Sequence, residues 1–129
     1  MSKSVGNVID SQTIIDEYGA EILRLWVAAE DYTEDIRISG EILKRLVEAY
    51  RRIRNTSRFI LGNLYDFNPG TDTVPYEEME EIDRWILHRL QEVIRRVREA
   101  YEQYQFHVVY YTLHNFCTVD LSALYLDVL

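Results

Sequence analysis

Three long stretches of this chain carry apolar residues at spacings of three and four, and nowhere do apolar and polar residues alternate long enough to make a strand. The pattern restricts the chain to an all-α fold. Ser39 stands where it can cap the first long helix, which runs to about Asp66 on a stripe of Ile42, Leu46, Tyr50, Ile53, Ser57, Ile60 and Leu64. Leu43, Val47 and Leu61 widen that stripe. At 1.5 Å per residue such a helix is a rod of roughly 40 Å. Asn68-Pro69-Gly70-Thr71-Asp72 breaks the pattern and Pro75 closes the linker. A second long helix follows over about Glu77 to Tyr104, with Ile82, Trp85, Ile86, Leu90, Val93, Val97, Ala100 and Tyr101 inward. A third runs from Phe106 to the end through Val109, Tyr110, Leu113, Phe116, Cys117, Leu121, Leu124 and Val128. The expected arrangement is an up-down-up bundle.

Ahead of the bundle the chain reads differently. Residues 1 to 10 have no apolar period and read as a loop. A short helix is predicted from Asp10 or Ser11 to Gly19, and a second one carries Ile22, Leu25, Trp26 and Ala29 on one face. Helices this short must pack on something to persist. Residues 31 to 38 read as an ordered connection. The expected division is therefore residues 1–38, a loop and two small helices, and residues 39–129, the bundle.

Charge narrows the function. The net charge of −8 excludes a general nucleic-acid coat, but its distribution is uneven. Between Gly40 and Arg58 six cations face Glu41 and Glu48, while Glu77 to Asp83 is acidic throughout apart from Met79 and Ile82. A basic strip beside an acidic one fits phosphate contact at one defined place. Arg51, Arg54 and Arg58 share a helix face, with Lys44 and Arg45 up to two turns earlier. Two readings stand: guanidinium groups gripping RNA phosphates, or a solvated face paired with Glu48 and the acidic strip. The acidic run itself suits a helix start. His88, His107 and His114 are scattered, so no metal site is expected. Cys117 is the one cysteine, which fits a reducing compartment, a cytoplasmic location and a core role. No run of about 18 apolar residues implies a membrane partner. Of the ten tyrosines, Tyr101, Tyr104, Tyr110, Tyr111 and Tyr125 fall mostly on or beside the apolar stripes.

The first residues, Met1-Ser2-Lys3-Ser4-Val5-Gly6-Asn7, match the last four positions of a Lys-Met-Ser-Lys-Ser signature and the small-residue stretch after it. Downstream come Val8-Ile9-Asp10 and Ile14-Ile15-Asp16-Glu17-Tyr18-Gly19-Ala20-Glu21-Ile22-Leu23-Arg24-Leu25-Trp26-Val27-Ala28. With Asp31 to Ser39, Leu113 to Cys117 and Asp120 to Asp127, the chain resembles class I aminoacyl-tRNA synthetases of the isoleucyl type over nearly its whole length. Leu23-Arg24-Leu25-Trp26 favours that type over its valyl and leucyl relatives. Ser11 departs from the family's usual Pro, yet both suit a helix start.

The resemblance implies a role for each region. Ser2, Lys3 and Ser4 belong to the loop that closes over ATP, with Lys3 stabilising charge on the departing pyrophosphate. Lys44, Arg45, Arg51, Arg54 and Arg58 lie where the family contacts a tRNA stem before its anticodon-binding helices. The implied partners are tRNA-Ile and the rest of a synthetase. The chain holds no His-Ile-Gly-His motif and both ends break off inside a pattern, so a fragment inactive in isoleucine activation is expected. Its uncovered apolar surface would suit missing neighbours or self-association. The rival is a non-catalytic helical module that binds protein or RNA.

Overall fold

Gly19 divides the first two helices because its backbone sits at φ 91°, a region that L side chains rarely enter. In the computed structural model, which describes residues 10–31 and 38–129, α1 spans Ser11–Tyr18 and α2 spans Ala20–Ala29. A Cβ on Gly19 would stand 3.2 Å from Glu21 Oε2, the mobile end of an exposed side chain, so it is the torsion rather than the space that calls for glycine. Asp10 occupies the position before α1 without lending its carboxylate as a cap. Ser39 does cap: its Oγ accepts the Ile42 N–H at 3.2 Å and opens α3, Gly40–Gly62.

The first long helix is shorter than its apolar pattern predicts, and its buried line is turned. Asn63 ends it, with its backbone N–H on Phe59 and Ile60 carbonyls and its side-chain amide on Phe59 O at 2.8 Å. Leu43, Leu46, Ala49 and Thr56 are buried, whereas Tyr50, Ser57 and Leu64 of the predicted stripe are exposed. Two neighbours set this register. Leu43 and Leu46 pack with Ile14, Ile22 and Ala29 of the small helices, and Thr56 Oγ1 lies 2.9 Å from Ser122 Oγ. Beyond Thr56 the apolar face is uncovered: Phe59, Leu61, Tyr65 and Phe67 are exposed, Leu61 to 69%.

A short 3₁₀ turn, Tyr76–Glu78, precedes α4, Glu81–Glu102. Glu81 and Asp83 lie in the first turn of α4, where carboxylates suit the positive end of the helix dipole. The helix closes with Tyr104 at φ 57°: Tyr104 N–H reaches Tyr101 O at 3.1 Å and Gln105 N–H reaches Ala100 O at 2.8 Å. That bond pair is the helix-ending motif usually built on glycine, and a tyrosine there carries about 1 kcal/mol of strain. Tyr101, predicted inward, is exposed beside it.

The third stripe is two geometries in one rod. α5, Phe106–Asn115, is an α-helix, but Phe116–Tyr125 is a π-helix, and α6, Leu126–Val128, ends the chain. Hydroxyls occupy carbonyls along the change: Thr118 donates to His114 O at 2.8 Å and Ser122 to Cys117 O at 2.7 Å. Phe116 and Cys117 are buried as their stripe predicts; beyond them the wider turns move the buried line, so Asp120 is buried while Leu124 and Val128 are exposed, and Leu113 on α5 is exposed as well. Ile86, Val93 and Phe116 form a second apolar cluster, with Trp85, Leu90, Leu121 and Tyr125 against it. α4 packs on α5 and the π-helix; α3 packs on α2, α5 and the π-helix. Among the described residues there is no strand, and no helix is long and apolar enough to cross a membrane.

Candidate nucleic-acid interface

Lys44, Arg51 and Arg58 fall seven residues apart on α3, about two turns each, so they line up along one edge. That edge is opposite the Leu43–Leu46–Ala49–Thr56 line and is fully solvent-facing; Arg54 stands one step aside and is also exposed. From Lys44 to Arg58 the row covers about 21 Å of helix. Arg45 and Arg52 turn towards α5, where with Lys44 at the rim and with Tyr110 and His114 they border a groove of about 550 Å³.

Internal pairing engages part of this set. Arg45 meets Glu41 at 2.5 Å and Arg51 meets Glu48 at 2.8 Å, all four side chains being more than half exposed. Exposed pairs of this kind contribute well under 1 kcal/mol and yield readily to a phosphate. Among the described residues Lys44, Arg52, Arg54 and Arg58 make no ion pair. The acidic run starting at Glu77 makes no ion pair with α3 there either, so the pairing alternative reaches only Arg45 and Arg51. Ser2, Lys3 and Ser4 lie outside the described residues.

A second polar surface, which the sequence pattern did not single out, lies between α4 and α5. It is a groove of about 740 Å³ with Arg89, Arg95 and Arg96 on one wall and Tyr111, His114 and Asn115 on the other. Asp120, only 6% exposed, holds Arg89 Nη2 at 3.2 Å, and Glu92 binds the same guanidinium. Asp120 and then Glu92 hold Arg89 in its charged form. Arg95 pairs with Glu99 at 3.3 Å. His114 stacks on Tyr110 with ring centroids 6.0 Å apart. Burial, followed by the nearby Arg52, pushes His114 below its ordinary value.

Two family models match the chain. Residues 1–39 match the class I tRNA synthetases for I, L, M and V, and residues 83–129 match the anticodon-binding domain of tRNA ligases. Over all 129 residues the chain is 62% identical to the isoleucine–tRNA ligase of Symbiobacterium thermophilum and 60% identical to that of Geobacter sulfurreducens. The chain belongs to the isoleucine–tRNA ligases. It spans 14% of the length of these relatives. The anticodon-binding match begins at Asp83, within the first turn of α4, and takes in α5 and the π-helix. The α4–α5 groove thus lies inside the matched region, whereas the α3 row lies between the two matches.

Cys117 and Tyr125 have places in the packing. Cys117 is buried, as its stripe position predicts, and burial pushes its thiol up. No group of three potential metal ligands exists among the described residues. Tyr125 donates to Asp83 Oδ1 at 2.7 Å and ties the π-helix to the first turn of α4. Burial first, then the bond to Asp83 and its charge, push this phenol from 10.0 up to about 12. Since the folded value lies above the unfolded one, the neutral phenol's contribution is whole below pH about 10 and is lost as pH rises to about 12. Tyr125→Phe is expected to cost about 1 kcal/mol at neutral pH and to flatten that alkaline fall. Thermal melts across pH 8 to 12 read both effects.

Proposed function

We propose that this chain serves ATP-dependent charging of tRNA-Ile in a cytoplasmic isoleucine–tRNA ligase. Residues 1–38 supply the ATP-closing loop and two linking helices, and residues 39–129 form an RNA-gripping bundle. Lys3, flanked by Ser2 and Ser4, would meet the polyphosphate of the substrate ATP. The cations Lys44, Arg45, Arg51, Arg54 and Arg58 would hold the phosphates of the tRNA stem.

The observation that carries this reading is the row on α3, exposed over its whole length and mostly free of internal ion pairs among the described residues. A continuous core supports it: Leu43 and Leu46 beneath the row pack directly on Ile14, Ile22 and Ala29. Load on the row therefore passes through rigid packing into the helices that follow the loop. Titrating a tRNA-Ile transcript with the chain tests the reading. Affinity should fall linearly in log–log terms as salt rises, and binding insensitive to salt would contradict phosphate contact.

One observation favours a second use. Phe59, Leu61, Tyr65 and Phe67 make an exposed apolar surface that suits either the rest of the synthetase or a second copy of the chain. Light scattering separates these, since self-association through that surface gives a dimer mass.

A further inference from the structure

Arg52 and Asp127 line the two walls of one groove, carry opposite charges, and do not meet. The groove, of about 480 Å³, runs between α3 and the rod formed by the π-helix and α6. Both side chains are exposed, and neither makes an ion pair among the described residues. Opposite charges held apart in this way leave room for a molecule that bears both.

Each pole has polar support. Asn55, exposed on the Arg52 wall, offers amide donors. At the floor Thr56 Oγ1 lies 2.9 Å from Arg52 O and 2.9 Å from Ser122 Oγ, and Ser122 Oγ lies 2.7 Å from Cys117 O. Two hydroxyl protons serve these three short contacts, so the floor has lone pairs to spare and no spare donor. Ser122 is the exposed member of the pair and stands on the Asp127 wall. Spare acceptors beside a carboxylate suit an ammonium group. Phe59, 54% exposed, and half-buried Leu126 add apolar surface. Apolar walls with a few convergent polar groups are the usual form of a small-molecule site, and π-helical segments recur at such places.

We infer that this groove binds a small zwitterion of the amino-acid type. Its carboxylate lies on Arg52 and Asn55, its ammonium on Asp127 and Ser122, and its apolar side chain on Phe59 and Leu126. A simple anion is repelled by Asp127 and a simple cation by Arg52, so the two charges together select against both. Arg52 lies outside the α3 row, and the inference does not rest on the tRNA-binding reading.

The test titrates the isotope-labelled 129-residue chain with L-leucine and follows amide NMR shifts. L-leucine carries both charges and an apolar side chain; L-leucinamide lacks the carboxylate and N-acetyl-L-leucine lacks the ammonium. Saturable shifts are expected at Asn55, Ser122 and Asp127, with a Kd on the order of 1 mM. Both one-charge analogues should bind about 10-fold or more weakly, as should L-leucine to Arg52→Ala and to Asp127→Asn. Both substituted positions are exposed, so the fold is retained, which circular dichroism melts check; the analogues test the unaltered chain in any case. An analogue that binds as tightly as L-leucine, or a variant that binds L-leucine like the parent, would overturn the inference. So would the absence of saturable shifts at the groove up to about 50 mM.

Discussion

Replacing Arg51, Arg54 and Arg58 together with alanine is expected to weaken tRNA binding about a hundredfold near physiological salt and to lower the log–log salt slope by about 2 to 3. The reasoning is electrostatic. Each cation that neutralises a phosphate releases condensed counterions, so each contact removed takes away nearly one unit of slope. Helix propensity gives no opposing effect, because alanine is the best helix former and all three positions face solvent. Among the described residues the pair broken is Arg51 with Glu48, both more than half exposed, and its loss changes stability by well under 1 kcal/mol. Lost affinity with an unchanged melting temperature is the signature of a binding row. A variant that melts lower yet binds normally would assign the row to internal pairing instead.

Leu43→Ala is expected to be the most damaging leucine truncation among the described residues, costing about 3 kcal/mol. Leu43 is 2% exposed and sits where α1, α2, α3 and Tyr110 of α5 converge. Truncation leaves a cavity that helices held from four sides cannot readily close. For a chain of this size the melting temperature should fall by about 10 °C. Ile42→Ala, one residue away, should cost distinctly less because Ile42 is only half buried. Equal losses at the two positions would mean that the α3 register is wrong. The same core joins the small helices to the bundle, so hydrogen exchange in α1 and α2 should accelerate in Leu43→Ala more than in α4.

The helix content was legible because its signals are local. The Ser39 cap, the Gly19 joint and the Asn68-Pro69-Gly70 break each act within a turn of where they sit, and each lies where the pattern places it. Register was less legible. Ile42, Tyr50 and Ser57 make as good a stripe on paper as Leu43, Ala49 and Thr56, and only the packing partners choose between them. Thr56 is buried because Ser122, sixty-six residues away, meets its hydroxyl. The π-helix escaped for a related reason: a period of 3.6 assigns Leu124 and Val128 inward, while the wider turns bring in Asp120.

The candidate sites divide along the same line. The α3 row was visible as charges at spacings of three, four and seven on one helix. The α4–α5 groove was not, because its walls come from separate helices and its floor from a carboxylate that the sequence pattern leaves unassigned. Arg95 and Arg96 alone look like ordinary solvated charges. They acquire meaning only when Tyr111 and Asn115 face them.

The most direct measurement is the affinity of the purified chain for a tRNA-Ile transcript and for a non-cognate tRNA, each at a low and a high salt concentration. The account predicts tighter binding of tRNA-Ile and a steep loss of affinity for both RNAs at high salt. No binding to either RNA at low salt, or binding that salt leaves unchanged, would contradict it.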